Sequence, residues 1–299
     1  MTTLDQLVIN FHMTESCNYR CGYCYATWND HSSERELHRH SGEVERLLDS
    51  LADYFLNPNP LQQALGYRSV RLNFAGGEPM LLGDRFVTAL NQAQACGFET
   101  SIITNGHFLD ETNLAAMAPQ LSVLGISYDS MKAETVRQIG RQDRKGRGLS
   151  RERLTRLALL YRALNPEGVL KINTVVNTFN WQEDMRDLGI QIRPDKWKLL
   201  RVLPVHDHSL VISDSQYRAF VERHAELGPM IVEEDNQDMR QSYLMIDPEG
   251  RFYQNDEAGK GYILSSPIRQ VGVESALTQI PFDPEAFARR YQLIPLQAV

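Results

Sequence analysis

Six short apolar runs, each separated from the next by a segment with helical spacing, set the strongest limit on how this chain can fold. The runs are residues 7–13, 69–76, 99–105, 122–129, 169–177 and 198–205. The helical pattern falls near residues 42–56, 83–96, 109–118, 132–140, 150–164, 181–188 and 214–227, with Ser150 and Asp214 as capping residues. Strands that alternate with helices form parallel βα units. The sequence therefore predicts an α/β fold, and if its sheet curls into a barrel, the chemistry belongs at the carboxyl ends of the strands.

The pattern changes near residue 240. Residues 242–255, "SYLMIDPEGRFYQN", alternate apolar and polar side chains on both sides of a Pro-Glu-Gly turn, which predicts a β-hairpin. The composition shows no convincing linker before it. We therefore predict one barrel-type domain over residues 1–240, followed by a C-terminal hairpin extension over residues 241–299.

The charge balance limits the partners of this chain. Acidic residues outnumber basic residues, 38 to 31, which gives a formal net charge of −7. Such a chain has no general basic surface for nucleic acid or for an anionic membrane, so an anionic ligand needs a local basic cluster. The N-terminus has no signal-peptide pattern, and no window approaches the roughly 18 apolar residues of a membrane span. We expect a cytoplasmic, soluble protein that binds neither membrane nor nucleic acid directly.

Three of the four cysteines lie in one loop, directly after the first predicted strand. Cys17, Cys21 and Cys24 form a C-x3-C-x2-C motif. In a reducing cytosol, clustered cysteines bind metal or do redox chemistry more often than they form disulfides. A structural zinc site needs four protein ligands and would have to recruit His12 or His31. A cubane [4Fe-4S] cluster accepts three cysteines and leaves one iron open, which is what reductive cleavage of S-adenosylmethionine requires.

Two other residues, Tyr23 and Cys96, give less specific information about a cofactor. Tyr23, within the motif, could pack beside the adenine of S-adenosylmethionine, or it could only cover the cluster from water. Cys96 stands alone in "AQACGFE", and we expect it to be a small buried hydrophobic residue.

A second motif agrees with the cysteine loop. Residues 73–79, "NFAGGEP", end the second predicted strand with two glycines and a carboxylate. Gly76 and Gly77 would let the backbone approach the methionine part of the cofactor, and Glu78 could accept a hydrogen bond from its ammonium group. Together the two motifs resemble the radical S-adenosylmethionine (radical SAM) superfamily. This resemblance implies a partial (β/α)6 TIM barrel.

The same resemblance implies three further cofactor contacts. Asn105 ends the third strand, Ser127 ends "GIS", and Arg141 lies in "IGRQ". In the superfamily these positions contact the ribose and the carboxylate of S-adenosylmethionine. Polar residues at strand ends are also common as caps and turn residues, so this alternative stays open.

Several segments, read in order, are similar to the viperin family and to its prokaryotic members in particular. They are "NFHMTESCNYRCGYCY", "RLNFAGGEP", "SIITNG", "ISYDS", "IGR", "LKINTVVNTFNWQEDM", "KWKLL", "QSYLMIDPEGRF" and "VGVESAL". The resemblance implies conversion of a nucleoside triphosphate (CTP, UTP or GTP) to its 3′-deoxy-3′,4′-didehydro form, a polymerase chain terminator in antiviral defence. It also implies an electron donor such as flavodoxin or ferredoxin, and a C-terminal extension that covers the nucleotide site.

The family's triphosphate contacts map onto strand residues of this chain. They are Asn10, Arg71, Lys171, Lys196 and Lys198, with arginine replacing the usual lysine at position 71. Lys196 and Lys198 lie two residues apart on one strand and therefore face the same side. The alternative is that some of these cations are solvated or paired with acidic side chains.

The resemblance also assigns a catalytic residue. Tyr243 in "QSYLMID" matches the tyrosine that is proposed to quench the product radical in the family. The alternative is an aromatic residue packed at the barrel mouth with its hydroxyl bonded.

Three departures from the animal members of the family are visible. This chain lacks their N-terminal amphipathic helix, and its tail "FARRYQLIPLQAV" lacks their terminal tryptophan-containing segment. Residues 204–209, "PVHDHS", replace an acidic, glycine-containing loop beside the expected base pocket, so the preferred base stays open.

Two other functions also remain: a radical enzyme that modifies peptides, which often needs further cysteines for auxiliary clusters, and a zinc-binding module without enzymatic activity.

Overall fold

Strands and helices alternate along most of the chain. The structure is a computed structural model and describes residues 4–24, 33–204, 208–255 and 261–292. Its strands are β1 (Gln6–His12), β2 (Ser69–Ala75), β3 (Glu99–Thr104), β4 (Leu121–Ser127), β5 (Val169–Val176), β6 (Lys196–Arg201), β7 (Ile231–Glu234), β8 (Leu244–Ile246), β9 (Phe252–Asn255) and β10 (Tyr262–Leu264). Its α-helices are α1 (Glu43–Phe55), α2 (Pro60–Leu65), α3 (Asp84–Ala95), α4 (Glu111–Met117), α5 (Ala133–Ile139), α6 (Arg151–Leu164), α7 (Arg186–Ile192), α8 (Asp214–His224), α9 (Ile268–Val271), α10 (Val273–Leu277) and α11 (Pro284–Gln292).

The chain divides into two compact units, and the first comprises Met1–Glu15, His31–Thr100 and Gln237–Val299. In this unit β1 pairs in parallel with both β2 and β8. Strand β8 pairs antiparallel with β9 through the predicted turn, and β9 pairs antiparallel with β10. The hairpin prediction is therefore confirmed. Phenylalanines contribute to the core of this unit. The side chains of Phe74 and Phe86 are buried, and their rings pack edge to face.

The second unit comprises Ser16–Asp30 and Ser101–Asn236. Strands β4, β5, β6 and β7 pair in parallel in this order, as the βα pattern predicts. Trp197 of β6 is fully buried, and its indole N–H donates to Oγ1 of Thr174 at 2.9 Å. Helix α6 begins after Ser150, whose hydroxyl accepts from the backbone N–H of Arg153. The parallel strands and this cap follow directly from the sequence pattern.

Other elements differ from the prediction. The helix expected at residues 181–188 lies at Arg186–Ile192. Before this helix, asparagine side chains bond to backbone N–H groups and form turns. Oδ1 of Asn180 accepts from the N–H of Asn177, and Oδ1 of Asn177 accepts from the N–H of Phe179. The cap of α8 is Ser213 and not Asp214. Strands β7 and β10 and helices α2, α9, α10 and α11 were not predicted, because short elements carry little periodic signal. Within the described ranges, no helix is long and apolar enough to cross a membrane.

Candidate active site

The cysteine loop is fastened to the residues that follow α5. The backbone N–H of Arg20 donates to the carbonyl of Gly140 at 3.1 Å, and that of Gly22 donates to Ile139 at 2.9 Å. Gly140 has a φ of +85°, and a Cβ atom there would lie 2.0 Å from the carbonyl oxygen of Arg20. Only glycine permits this approach. The loop therefore takes its shape from a helix end more than a hundred residues further along the chain.

Nitrogen donors surround two of the three motif sulfurs. The N–H of Tyr19 lies 3.4 Å from Sγ of Cys17, and the amide nitrogen of Asn105 lies 3.9 Å from the same atom. The guanidinium of Arg141 lies 3.9 Å from Sγ of Cys21. All three motif thiols are half-buried and not in disulfides. Such donors suit sulfurs that carry the negative charge of thiolate ligands, so this donor set fits an iron–sulfur cluster.

Burial raises the pKa of the Cys21 thiol, although the Arg141 cation acts in the opposite direction. A lone thiolate is therefore disfavoured at this position, and a bound metal cluster would compensate for it. Among the residues that the structure describes, no three His, Cys, Asp or Glu side chains are grouped around a single metal-ion position.

Arg141 occupies the centre of a buried polar network. Its Nη2 donates to the carbonyl oxygen of Ser127 at 2.7 Å, and its Nη1 donates to the hydroxyl of Tyr23 at 2.9 Å. That hydroxyl donates to Oδ2 of Asp129 at 2.5 Å, and Nε of Arg141 lies 3.5 Å from the same oxygen. Burial and the Asp129 carboxylate raise the pKa of Tyr23 well above its usual range, which keeps the hydroxyl protonated. The structure thus brings together Tyr23, Ser127 and Arg141.

Asn105 belongs to the same neighbourhood. Its side-chain amide donates to Oδ1 of Asn18 at 2.8 Å, within the cysteine loop. Its Oδ1 accepts from the N–H of His107 at 2.9 Å. Asn105 therefore acts as a turn residue, which is the alternative that the sequence left open, and it also contacts the cysteine loop.

The glycine motif lies in the other unit and is packed tightly there. Gly76 has a φ of +138°, and a Cβ atom would lie 2.7 Å from the carbonyl oxygen of Thr14. The N–H of Gly77 donates to that carbonyl at 2.8 Å. Glu78 is buried, and its carboxylate accepts from the N–H of Met80 at 3.1 Å. Gly76 thus has a packing reason in addition to the predicted contact with a cofactor, and Gly77 contributes a backbone hydrogen bond.

Two of the predicted triphosphate strands form a polar ladder. In the register of β5 and β6, Lys171 lies opposite Lys196 and Asn173 lies opposite Lys198. Lys198 is buried and forms an ion pair with Glu234 of β7. Oδ1 of Asn173 is buried and has no hydrogen-bond partner within the described ranges. A buried acceptor without a donor is rare and suggests that a ligand group completes it.

A comparable pattern runs along β1 and β2 in the first unit. Asn10 lies opposite Asn73, and Nδ2 of Asn73 donates to Oδ1 of Asn10 at 2.8 Å. Nε of Arg71 donates to Oε1 of Gln6 at 2.7 Å, and burial lowers the pKa of Arg71. Arg71 and Asn73 share one face of β2 because they are two residues apart.

Tyr243 is half-buried and held from the C-terminal helix. The guanidinium carbon of Arg290 lies 3.5 Å from the centre of the Tyr243 ring, and the same guanidinium bonds to the carbonyl of Ser242. The backbone carbonyl of Tyr243 accepts from Nε2 of Gln254 at 2.6 Å. A cation thus packs on the ring of Tyr243.

Sequence reasoning missed several of these residues. Asp129 comes two residues after the end of β4, so the strand-end rule could have found it. Asn73 and Asn173 could have been found by strand alternation from Arg71 and Lys171, whereas nothing in the sequence indicated Glu234. Cys96 is half-buried and not buried, with its Sγ 3.5 Å from Oδ1 of Asp49. His31, residues 205–207 of the base-pocket loop and the tail from residue 293 lie outside the described residues.

Comparison with known proteins identifies the class. The family profile of the Radical SAM superfamily matches residues 11–188. The structure described as "Native anSMEcpe with bound AdoMet" is similar in fold, with a TM-score of 0.65 at 16% identity, over 91% of this chain and 80% of that one. This chain belongs to the radical SAM superfamily and is one of its enzymes. The predicted fold class is confirmed, and membership implies S-adenosylmethionine and an iron–sulfur cluster as cofactors.

Curated relatives narrow the class to a family. The S-adenosylmethionine-dependent nucleotide dehydratase of Pseudoalteromonas ulvae is 55% identical over 99% of this chain and 96% of its own length. The protein of that name from Psychrobacter lutiphocae is 38% identical over 96% and 95%. The nucleotide dehydratase RSAD2 of Oncorhynchus mykiss is 32% identical over 94% of this chain and 78% of its own length. Within the superfamily, this chain belongs to the family of the S-adenosylmethionine-dependent nucleotide dehydratases, as the resemblance to viperins predicted.

Proposed function

We propose that this enzyme converts a nucleoside triphosphate to its 3′-deoxy-3′,4′-didehydro analogue, a chain terminator that acts in antiviral defence. CTP, UTP or GTP is the substrate, and a flavodoxin or a ferredoxin in the cytoplasm supplies electrons. Cys17, Cys21 and Cys24 hold a [4Fe-4S] cluster. The residues proposed to bind S-adenosylmethionine are Tyr23, Gly76, Gly77, Glu78, Asn105, Ser127 and Arg141. Residues 241–299 form the extension that covers the nucleotide after the barrel domain of residues 1–240.

The polar ladder on β5 and β6 is the observation that carries the nucleotide proposal. Lys171 lies opposite Lys196, and buried Asn173, whose Oδ1 has no hydrogen-bond partner among the residues that the structure describes, lies opposite Lys198. Cations suit phosphate oxygens, and an amide oxygen suits a ribose hydroxyl or a base amine. Glu234 neutralises part of this charge in the absence of ligand, because unpaired buried cations are costly. We propose that Asn10 and Arg71 bind the triphosphate as well.

The proposed reaction needs a hydrogen atom removed and a hydroxyl group expelled. When bound, the cluster and S-adenosylmethionine supply the radical that takes hydrogen from the ribose C4′. The chain orients the ribose by binding the phosphates, so that C4′ and not another carbon faces the radical. Departure of the 3′-hydroxyl as water consumes one electron and one proton. The hydroxyl of Tyr243 delivers both as a hydrogen atom and becomes a tyrosyl radical, which one electron from the flavodoxin or ferredoxin and one proton from solvent return to tyrosine. The net change in the nucleotide is a dehydration.

The proposal is tested by anaerobic turnover with the nucleoside triphosphates in competition, followed by mass spectrometry of the products. The same assay compares triphosphate, monophosphate and nucleoside. Lys171→Ala and Lys198→Ala should each weaken nucleotide binding by about one to two orders of magnitude, since a charge-assisted phosphate contact is worth roughly 1.5–3 kcal/mol. Cofactor cleavage without nucleotide should be little changed. Equal activity on all three ligands would contradict the proposal and favour a radical enzyme that modifies peptides.

A further inference from the structure

The hydroxyl of Tyr23 has a contact pattern that a phenylalanine could not provide. It donates to Oδ2 of Asp129 and accepts from Nη1 of Arg141. An aromatic ring alone would suffice to pack against an adenine or to cover a cluster. The hydroxyl therefore needs its own explanation, since the two side chains that it joins, Asp129 and Arg141, are both buried.

Asp129 provides a fixed point for this contact. Its Oδ1 accepts from the backbone N–H of Val175 at 3.0 Å, and its backbone carbonyl accepts from the side-chain amide of Asn180 at 2.9 Å. The carboxylate is thereby tied to strand β5, and the backbone of Asp129 is tied to the turn after that strand. Because the Tyr23 proton is directed at Asp129, a hydroxyl lone pair is directed at Arg141.

The orientation of Arg141 follows from these constraints. Among the described residues, contacts to Ser127, Tyr23, Cys21 and Asp129 use four of the five N–H donors of its guanidinium. Without the Tyr23 hydroxyl, Nη1 would lose its strong acceptor and the guanidinium could turn toward the Asp129 carboxylate. It would then leave Cys21.

We propose that Tyr23 and Asp129 are positioning residues for Arg141, holding its guanidinium beside Cys21 in the orientation that receives the carboxylate of S-adenosylmethionine. This inference rests on the proposed cofactor contact of Arg141. It is independent of the nucleotide, since every group involved lies in the second unit around the cysteine loop. It also gives a role to the one hydroxyl in the Cys21 to Cys24 segment.

The direct test is Tyr23→Phe in the anaerobically reconstituted holoenzyme, without nucleotide. We expect the iron content per chain to be unchanged and the affinity for S-adenosylmethionine, measured by equilibrium dialysis, to fall about tenfold, the effect of one charge-assisted hydrogen bond. The electron paramagnetic resonance spectrum of the reduced cluster should also respond less to added cofactor. Tyr161→Phe is the matched control, because Tyr161 of α6 is buried in the same unit and its hydroxyl donates to the carbonyl oxygen of Leu121 at 2.7 Å. Unchanged affinity in Tyr23→Phe would overturn the inference.

Asp129→Asn separates positioning from simple electrostatics. Removal of a negative charge would, by Coulomb's law alone, favour the carboxylate of the cofactor. Loss of positioning predicts weaker binding instead, because an amide nitrogen in place of Oδ2 would face two donors. Tighter binding by Asp129→Asn would therefore contradict the inference.

A double-mutant cycle with Arg141→Gln completes the test. If Tyr23 acts through Arg141, Tyr23→Phe should have almost no further effect on cofactor affinity in the Arg141→Gln background. A full tenfold additional loss would show an independent role and overturn the inference. If Arg141→Gln alone leaves cofactor affinity unchanged, the proposed cofactor contact of Arg141 fails and the positioning role fails with it. Nucleotide turnover is absent from all these measurements, so the dehydratase proposal is judged separately.

Discussion

Two tyrosines of this protein each meet an arginine, and they do so in opposite ways. Tyr23 offers its hydroxyl to Arg141 inside a network that includes the buried carboxylate of Asp129. Tyr243 offers its ring face to Arg290, which belongs to the last helix, α11. The first pair lies in the second unit and the other pair in the first unit.

The difference concerns what holds each tyrosine. Charge-assisted hydrogen bonds between buried groups are directional and costly to break. A cation over an aromatic face is weaker, at about 0.5–2 kcal/mol, and tolerates sliding. The hydroxyl of Tyr23 is therefore fixed by directional bonds within its unit, whereas the ring of Tyr243 has a contact with α11 that tolerates sliding. The comparison separates a group that must not move from one that can adjust when a substrate binds.

The largest effect is expected from removal of the sulfur that Arg141 faces. Cys21→Ala should abolish the cluster, because a second iron would lose its protein ligand, and 5′-deoxyadenosine formation should stop. Iron content and visible absorbance after anaerobic reconstitution measure this. Cys96→Ala is the control and should keep both. Turnover retained by Cys21→Ala would contradict the cluster assignment.

A large effect on stability is expected at Asp129. Asp129→Ala leaves the buried Arg141 guanidinium without its carboxylate, and the free energy of unfolding should fall by about 3–5 kcal/mol. Denaturant unfolding of the cluster-free protein measures the change. Asp184→Ala breaks an exposed pair with Arg186 and should cost about 1 kcal/mol or less. Similar losses in the two variants would remove the distinction between buried and exposed pairs.

The two tyrosines should also differ in kinetics. Tyr243→Phe should still bind nucleotide and cleave the cofactor, but it should give much less didehydro product because the hydroxyl is the proposed hydrogen donor. The ratio of product to 5′-deoxyadenosine measures this, and that ratio should be unchanged in Tyr23→Phe. Full product yield from Tyr243→Phe would return Tyr243 to a packing role.

The smallest effect is expected at Arg290. Arg290→Gln removes the cation from the ring of Tyr243, and the same product ratio should fall only a few-fold, in line with a cation–π contact. Arg290→Lys should restore part of the loss. Arg289→Gln on the same helix changes an exposed residue and should have no effect. A loss as large as that of Tyr243→Phe would show that Arg290 does more than stack.

Long elements with a regular period could be predicted from the sequence. Strand β5 was expected at residues 169–177 and lies at Val169–Val176, and α6 was expected at 150–164 and lies at Arg151–Leu164. Strand β7 has only four residues and sits in a stretch without alternation, so its pairing with β6 comes from tertiary contact. The displaced start of α7 has a local cause in the asparagine turns, which compete with the helix for backbone groups.

The site could be predicted where chemistry depends on spacing. The cysteine motif and the "GGE" motif can be recognised in the sequence because the residues that act together in each motif are close along the chain. Asp129 and Glu234 act on partners that are distant in sequence. Asp129 bonds to Tyr23, 106 residues away, and Glu234 of β7 forms an ion pair with Lys198 of the adjacent strand β6. A single sequence does not display such pairs. All predicted contacts of site residues with the cluster, S-adenosylmethionine and the nucleotide stay predictions.

The attachment of the cysteine loop to the end of α5 has a consequence for how the enzyme is made. Arg141 follows Cys21 by 120 residues, which a ribosome translating about 5–20 residues per second needs on the order of 6–24 s to add. Until then the nascent Cys21 thiol lacks the guanidinium that later faces it. Val175, which holds Asp129, emerges later still. The surroundings of the cysteine loop are therefore complete only after the central strands have been translated, and a cluster held by this network would be assembled on a chain that has already folded.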